Sequence, residues 1–357
     1  MDRAVFENRR EKLRRLMHDA GLAALLVTLD ANRYYLSGFE LMDAQMNESS
    51  GRLVLMPDGR DWLCTDSRFH TAACRLWDEE RIFIYKGAAM EQINTLLKDN
   101  VSGPVGFEAR NISFDDYEKV SAGLRMQRAD GMVEALRMLK DAEEVRRLEK
   151  ACALNHRLME WLPGGALLPG RTEVQVAWDV EQFFRNNGAE GLSFSSIVAV
   201  NANAALPHAE PGQDRITENC GVLIDVGCRL NDYCSDQTRS FWVGPRPDPL
   251  FAEHLAYIQE AQAKAIKAIR PGVKCSDVYT EAAKYLDERG VLPLFTHGLG
   301  HGIGLQTHEA PSLGQLSEAV LKPGMVVTVE PGLYVPGRGG VRWEYMILVT
   351  EDGARVL

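Results

Sequence analysis

The sequence lacks several features that mark specialised classes of protein. No hydrophobic run approaches the roughly 18 residues that a membrane span requires. The first residues, MDRAVFENRREKLRRLM, are too charged to contain the apolar core of a secretory signal. Acidic residues outnumber basic ones, 50 to 40, and the formal net charge is -10. We therefore expect no nucleic acid partner and no attachment to an anionic membrane surface.

The sequence also lacks the cysteine patterns of a disulfide framework. The number of cysteines is odd, seven, and no two of them form a C-x-x-C pair. This pattern is typical of free thiols in a reducing compartment. Together with the missing signal and the missing membrane span, it predicts a soluble cytoplasmic protein.

The composition itself is ordinary for a globular protein, with 45% hydrophobic and 25% charged residues. A length of 357 residues is enough for two domains. In the first third, predicted strands at 23–29 and 33–39 and a predicted hairpin over 52–64 alternate with predicted helices, which indicates a small α/β domain. A long helix over 141–162 follows, so we place the boundary near residue 130. The predicted domains are 1–130 and 131–357.

Two capping signals mark helices in the second domain. Asp141 precedes the long helix, and Glu144 stands three residues later in the capping-box position. Thr172 and Gln175 have the same spacing at the start of a second helix. From about residue 219 the sequence becomes rich in predicted strands.

Two aspartates lie in the segment GVLIDVGCRLNDYCSDQTRSFWVG, which is typical of a β-hairpin. A two-residue turn at Asn231 and Asp232 would place Gly227 opposite Asp236. Side chains alternate between the faces of a strand, so Asp225 shares a face with Gly227 and lies diagonally across from Asp236. We expect Gly227 to leave open space between the two carboxylates. Two carboxylates directed into one space repel each other unless a positive charge lies there.

Two glutamates repeat this arrangement near the end of the chain. The apolar strands GMVVTVEPGLYV and GVRWEYMILVT each carry one, Glu330 and Glu344. The alternative is that all four carboxylates are surface charges or partners in simple ion pairs. Arg239 and Arg342 could neutralise at most two of them, and burying one unpaired carboxylate costs several kcal/mol. A metal cluster is the more economical explanation.

Histidines are concentrated in the glycine-rich segment THGLGHGIGLQTHEAP, which contains His297, His301 and His308. Its glycines indicate that the backbone bends sharply or approaches another group closely. Imidazole is a common metal ligand and a general acid or base near neutral pH. A fourth histidine, His208, lies in NANAALPHAEP. Three others lie in helical, charged or mixed surroundings, and we interpret them as structural or surface residues: His70, His156 and His254.

Four carboxylates and one imidazole match the charge of two divalent ions. Oxygen-rich ligation favours manganese, with cobalt, iron or zinc as alternatives. Two ions about 3.5–4 Å apart can generate hydroxide and hold a tetrahedral intermediate. The sequence therefore predicts a two-metal hydrolase.

These segments resemble the pita-bread metallopeptidases, a group that includes aminopeptidase P, prolidase and methionine aminopeptidase. The N-terminal segments LRRLMHDAGLAALLVT and RYYLSGF resemble the creatinase-type domain that precedes the catalytic domain in aminopeptidase P and prolidase. The resemblance implies an α+β fold. A curved antiparallel sheet flanked by helices would follow a smaller α/β domain, and the protein would form a homodimer.

The resemblance also implies roles for matching residues. Asp225 would bind one ion, His301 and Glu330 would bind the other, and Asp236 and Glu344 would bridge the two. Residues that match those handling the scissile carbonyl, transferring protons or supporting the site are His208, His297, His308, Tyr334 and Arg342.

The implied activity is hydrolysis of Xaa-Pro bonds at peptide N-termini by a metal-bridging hydroxide, as in aminopeptidase P. The substrate would be a peptide with proline at the second position. Dipeptidase members often read His-Glu-x-Pro-Arg, in which the Arg binds the terminal carboxylate of the substrate, whereas this chain has Ser312 there. The alternatives are an Xaa-Pro dipeptidase (prolidase), a small-molecule C–N hydrolase on the same fold, and a non-catalytic binding protein. Creatinase lacks the metal ligands, which disfavours the second, and five intact ligands disfavour the third.

Overall fold

The computed structural model describes residues 3–43, 45 and 48–357. It divides into two compact units, Met1–Arg137 and Met138–Leu357. This division and the boundary predicted near residue 130 both precede the long helix. Among the described residues, no helix has the length and apolar character needed to cross a membrane.

The N-terminal unit is built on one mixed six-stranded sheet. Its strand order is β4-β3-β2-β1-β5-β6, and β1 pairs antiparallel with β2 but parallel with β5. Buried apolar side chains such as Leu26, Val54 and Val105 form its core. This arrangement confirms the predicted small α/β domain. The elements are α1 (Arg3–Asp19), β1 (Ala24–Val27), α2 (Asp30–Ser37), β2 (Arg52–Leu55), β3 (Trp62–Thr65), α3 (His70–Ala73), β4 (Ile82–Ile84), α4 (Ala89–Asn100), β5 (Val105–Phe107), α5 (Phe114–Ser121), β6 (Met126–Arg128) and α6 (Met132–Arg137).

The predicted strand over 33–39 is wrong, because this segment belongs to helix α2. The helix ends at Gly38, whose φ of 75° is easily adopted only by glycine. Arg33 is fully buried in it, and its guanidinium donates hydrogen bonds to the carbonyls of Phe39, Glu40 and Gly51. These partners come from the surrounding loop, so the helix is selected by tertiary contacts that the short apolar pattern does not reveal.

The C-terminal unit begins with two helices whose N-termini are capped as predicted. Asp141 and Glu144 form a complete capping box at the start of α7, and Thr172 and Gln175 form another at α8. The elements are α7 (Ala142–Gly165), α8 (Glu173–Asn186), β7 (Gly191–Leu192), β8 (Ile197–Val200), β9 (Cys220–Val226), β10 (Cys228–Leu230), β11 (Tyr233–Cys234), β12 (Gln237–Val243), α9 (Pro249–Ala268), α10 (Cys275–Glu288), β13 (Gly300–Gly302), β14 (Glu309–Leu313), β15 (Val326–Val329), β16 (Gly332–Val335), β17 (Gly339–Arg342), β18 (Tyr345–Val349) and β19 (Ala354–Val356).

The C-terminal unit consists of two similar halves, each with helices packed on antiparallel strands. In the first half, α7 and α8 supply Leu158 and Val180 to a core shared with Ile224 of β9. In the second half, α9 and α10 cover the sheet β14-β13-β15-β18-β19. The ladders of this unit are antiparallel throughout the described pairs. The predicted α+β fold is confirmed.

Candidate metal centre

The two aspartates are positioned by the hairpin that the sequence predicts. Asn231 and Asp232 have φ angles of 51° and 74°, as a tight turn with two left-handed residues requires. Pairing continues in one register from the turn to the partners Asp225 and Thr238. In that register Gly227 lies opposite Asp236, so the predicted diagonal placement of the aspartates is confirmed.

The reason for glycine at position 227 differs from the prediction. A Cβ atom there would lie 1.9 Å from the Ser235 carbonyl oxygen and 2.3 Å from the Ser193 hydroxyl oxygen. The space is therefore filled by close packing of backbone and side chain, and it is not open. Gly227 allows the strands to approach each other at the start of the site.

The two glutamates lie where the last long hairpin is interrupted. Val329 pairs with Tyr345 on one side of the interruption, and Gly332 pairs with Arg342 on the other. The register is the same on both sides, so Glu330 falls opposite Glu344. Each glutamate therefore occupies a corner between two strands, where its side chain is not part of a continuous sheet face.

His301 lies at the centre of β13, between two glycines that permit close strand packing. A Cβ atom on Gly300 would lie 2.0 Å from the Thr328 carbonyl oxygen, and one on Gly302 would lie 2.1 Å from that of Ala310. For these two glycines, the predicted close approach of the backbone is confirmed.

The orientation of His301 suits a metal ligand. Its Nδ1 lies 3.0 Å from the carbonyl oxygen of Gly302, which can only accept, so Nδ1 carries the proton. The free Nε2 lies 3.6 Å from Asp236 Oδ2 and 3.4 Å from Glu330 Oε1. Burial lowers the pKa of His301 to about 4, so the ring is neutral at neutral pH. Donor atoms of Asp236, His301 and Glu344 lie within 4.8 Å of one another.

The carboxylates form a cluster that is short of positive charge. Burial, followed by repulsion from neighbouring carboxylates, raises the pKa of Asp236 and of Glu344 well above their ordinary values. Burial also raises the pKa of Glu330 to about 7. Among the residues that the structure describes, Asp225 Oδ1 and Glu344 Oε1 are buried without a hydrogen-bond partner. Buried acceptors of this kind require a cation or donors that these groups do not have.

One arginine offsets part of this charge. Arg342 Nη2 donates to Asp225 Oδ2 at 2.5 Å, and Nη1 donates to the Tyr334 hydroxyl at 2.7 Å. The hydroxyl in turn lies 2.9 Å from His297 Nε2. Within the described part of the chain, Arg239 forms no ion pair with any of the four carboxylates. It stacks on Trp343 and Tyr345 and donates to the backbone carbonyls of Thr238 and Glu344.

Two threonines that were not among the predicted site residues position the predicted ligands. Thr238 Oγ1 donates to Glu344 Oε2 at 2.7 Å and accepts from Arg342 Nε at 3.1 Å. Thr328 Oγ1 donates to Glu330 Oε1 at 3.1 Å and accepts from the His301 backbone N–H at 3.0 Å. Each threonine stands two residues from a predicted ligand, Asp236 or Glu330. A polar residue sharing a carboxylate's face in an apolar strand is the signal that could have identified them.

A cleft of about 530 Å³ opens over the cluster. His308 lines it, with its ring centroid 4.3 Å from that of His301, and burial lowers the pKa of His308. Ser312 is exposed in the wall and pairs directly with His301 across β13 and β14. All ten predicted site residues lie in or beside this cleft. Eight of them line it: Asp225, Asp236, His208, His297, His301, His308, Glu330 and Arg342. Tyr334 hydrogen-bonds to His297 and Arg342, and a carboxylate oxygen of Glu344 lies within 4.8 Å of donor atoms of Asp236 and His301.

Comparison with known proteins identifies the family. Residues 146–351 match the Metallopeptidase family M24, and residues 9–139 match the Creatinase/Prolidase N-terminal domain. The chain belongs to metallopeptidase family M24. Membership implies bound divalent metal ions, and it confirms the predicted family, the two-domain fold class and a metal-dependent peptidase.

Relatives extend over almost the whole chain. The Xaa-Pro dipeptidase of Pyrococcus furiosus is 31% identical over 351 residues, covering 98% of this chain and 97% of the relative. The structure of an Xaa-Pro dipeptidase from Bacillus anthracis superimposes with a TM-score of 0.91 at 31% identity, with 98% and 97% coverage. The X-Pro aminopeptidase of Thermotoga maritima gives a TM-score of 0.84 at 28% identity, covering 97% of each chain.

Proposed function

We propose that Asp225, Asp236, His301, Glu330 and Glu344 hold two divalent ions and that the protein hydrolyses Xaa-Pro bonds at peptide N-termini. The observation that carries the proposal is the buried carboxylate cluster, with unpartnered oxygens on Asp225 and Glu344 facing the neutral His301. Its oxygen-rich donor set fits hard or borderline cations, and we propose manganese. When bound, such ions polarise a carbonyl group and lower the pKa of water.

The remaining predicted residues would orient the substrate and its protons. Burial, followed by the charge of Arg342, lowers the pKa of His297 to about 4, so His297 is neutral. Its Nδ1 faces the Gly298 carbonyl oxygen at 2.7 Å, which leaves Nε2 to accept from the Tyr334 hydroxyl. The Tyr334 hydroxyl is thus fixed between His297 and Arg342. His208 and His308 line the cleft and are proposed to contact the scissile carbonyl and the leaving amine.

We propose that peptides longer than two residues are cleaved at least as well as dipeptides. The described residues of the cleft wall include one arginine or lysine, Arg342, and that guanidinium is already bound to Asp225. The carboxylate of an Xaa-Pro dipeptide would enter a cleft that also contains Asp236, Glu330 and Glu210. Lack of a charged partner at a partly desolvated site costs about 2–5 kcal/mol. A longer peptide has a neutral amide there.

Position 312 tests this proposal directly. Ser312 pairs with His301, so a long cationic side chain at 312 would reach the region beside the carboxylate cluster. We expect kcat/KM for Ala-Pro-Ala to equal or exceed that for Ala-Pro, and Ser312→Arg to raise turnover of the dipeptide selectively. Ser312→Gln is the neutral control of extended length. A clear preference of the unmodified enzyme for Ala-Pro would favour the second candidate, an Xaa-Pro dipeptidase, which is the activity named for the Pyrococcus furiosus relative.

The proposal includes a homodimer in the cytoplasm. The dimer rests on the family resemblance, and light scattering that gives a mass near the 39.8 kDa of one chain would contradict it. All seven cysteines are free thiols, which supports a reducing compartment.

A further inference from the structure

A second group of metal-ligand side chains lies in the N-terminal unit, away from the carboxylate cluster in sequence. It consists of His70, Cys74 and Glu79. The imidazole begins helix α3, and the thiol follows it by one helical turn, where the Cys74 N–H donates to the His70 carbonyl. Side chains four residues apart on a helical turn lie on the same face. Glu79 begins the next turn of the chain, a short 3-10 helix.

The separations between the donor atoms match those expected around a tetrahedral zinc ion. His70 Nε2 lies 3.6 Å from Cys74 Sγ and 3.7 Å from Glu79 Oε1, and all three donor atoms lie within 4.8 Å of one another. With the usual Zn–N, Zn–S and Zn–O bond lengths, tetrahedral angles give N···S of about 3.6 Å and N···O of about 3.4 Å. A single ion can therefore contact all three atoms after a small rotation of the glutamate.

The backbone that carries these side chains is held in place. Trp77 lies between Cys74 and Glu79 in the chain, and its side chain is buried. Its backbone N–H donates to the Ala73 carbonyl at 2.9 Å. The Arg10 guanidinium stacks on its ring with 4.7 Å to the centroid. The chain between the thiol and the carboxylate is thus anchored, which reduces the ordering that metal binding would require.

Cys74 differs from the other cysteines of the protein. All seven belong to the described residues, and Cys74 alone is exposed. A thiolate is the form that binds metals, and the exposed Cys74 sulfur is accessible to an ion from solvent. Burial closes off the other thiols and raises the pKa of Cys64 and of Cys228 to about 12.

We propose that His70, Cys74 and Glu79 form a second metal site, which binds one zinc ion with solvent as the fourth ligand. Its sulfur, nitrogen and oxygen donors select a softer ion than the oxygen-rich catalytic cluster does. On binding, the Sγ–H bond of Cys74 breaks, the sulfur bonds to zinc and the proton passes to solvent. Binding therefore releases one proton and becomes tighter as pH rises.

The test uses the full-length enzyme with its catalytic site saturated with Mn²⁺, and two independent readouts. Co²⁺ added as a probe should produce a thiolate-to-cobalt charge-transfer band in the near ultraviolet, which the carboxylate cluster cannot produce because it contains no thiolate. Zn²⁺ should slow modification of the Cys74 thiol by a disulfide reagent at least tenfold.

His70→Ala is the decisive variant, because it leaves the Cys74 reporter in place. We expect it to abolish both the cobalt band and the protection by zinc, and Glu79→Gln to weaken zinc binding about tenfold. His18→Ala is the matched control, since His18 is an exposed imidazole 3.4 Å from Asp19 without a nearby thiol in the described structure, and both signals should persist in it. Absence of the cobalt band in the unmodified protein, or equal zinc protection in His70→Ala, would overturn the proposal.

Discussion

The C-terminal unit buries carboxylates in two different ways, at Glu173 and at the site around Glu344. Glu173 is fully buried, and its two oxygens accept hydrogen bonds from the Val200 N–H, the Gly212 N–H and the Asn203 side chain. Glu344 is also buried, but one oxygen accepts from Thr238 and the other has no hydrogen-bond partner in the described structure.

The difference separates a structural carboxylate from one that we propose to bind metal. The charge of Glu173 is stabilised by donors that fold with it, so the group joins helix α8 to the loops before β9. The charge of Glu344 is opposed by burial and by the neighbouring carboxylates, which raise its pKa. Unsatisfied charge of this kind destabilises the folded protein when no metal is bound. Binding of cations would remove this cost.

The largest expected effect is on catalysis. Asp236→Asn or Glu344→Gln should lower kcat/KM at least about a thousandfold, roughly 4 kcal/mol, because each removes a charge that would hold both ions. Metal content measured by mass spectrometry should fall in the same variants. Glu173→Gln is the control, and its kcat per folded molecule should stay close to that of the unmodified enzyme. Full activity of Asp236→Asn after metal reconstitution would refute the ligand assignment.

The second effect concerns stability, and the two carboxylates should respond with opposite signs. Glu173→Ala leaves two backbone N–H groups and an amide without their acceptor, so we expect a loss of about 3 kcal/mol in the free energy of unfolding. Glu344→Gln removes an unfavourable charge and should stabilise the metal-free protein. Urea unfolding after treatment with a chelator measures both. A loss of stability in metal-free Glu344→Gln would show that the Glu344 charge is stabilised in the fold, as that of Glu173 is.

The third effect is a pH dependence that metal removal should reveal. A carboxyl group whose pKa is higher in the folded state binds its proton more tightly there, so folding is favoured at low pH. Stability is then lost as pH rises from the unfolded value near 4.5 through the folded value, which for Glu330 is about 7. The Tm of chelator-treated protein should therefore fall between pH 5 and pH 8, and added Mn²⁺ should restore it most strongly at pH 8. An unchanged Tm across this range would argue against raised carboxyl pKa values in the folded, metal-free protein.

The smallest effect is expected at the supporting threonines. Thr238→Val and Thr328→Val keep the side-chain shape but remove the hydroxyls that orient Glu344 and Glu330. Loss of such a partner typically weakens metal binding 10–100-fold, and calorimetric titration of Mn²⁺ would measure it. Thr280→Val is the control, because that hydroxyl donates to the Ser276 carbonyl on the exposed side of α10, away from the carboxylates. An unchanged Mn²⁺ affinity in Thr238→Val would show that the Glu344 carboxylate is positioned without the Thr238 hydroxyl.

Much of the local structure follows from short segments of sequence. The capping boxes at Asp141 and Thr172 depend on residues three positions apart, and the hairpin at Asn231 and Asp232 depends on two turn residues and strand alternation. These interactions are formed within a few residues, so their patterns are readable before the fold is known. The hairpin register alone was enough to bring Asp225 beside Asp236.

Other features were decided only by the tertiary structure. Segment 33–39 is helical because Arg33 is bound by carbonyls of a surrounding loop, and Gly227 is required by packing against Ser193 from a separate strand region. The corner that places Glu330 opposite Glu344 arises where the last long hairpin is interrupted. The link from Thr238 to Arg342 joins residues far apart in the chain. This link exists only after the two halves of the C-terminal unit have packed, because its free energy comes from burial and hydrogen bonding between distant segments. The sequence by itself indicated which residues are candidate metal ligands, because their residue types and strand positions can be read locally. The tertiary structure decided which of their charges remain unsatisfied, because burial and hydrogen-bond partners depend on the packed fold.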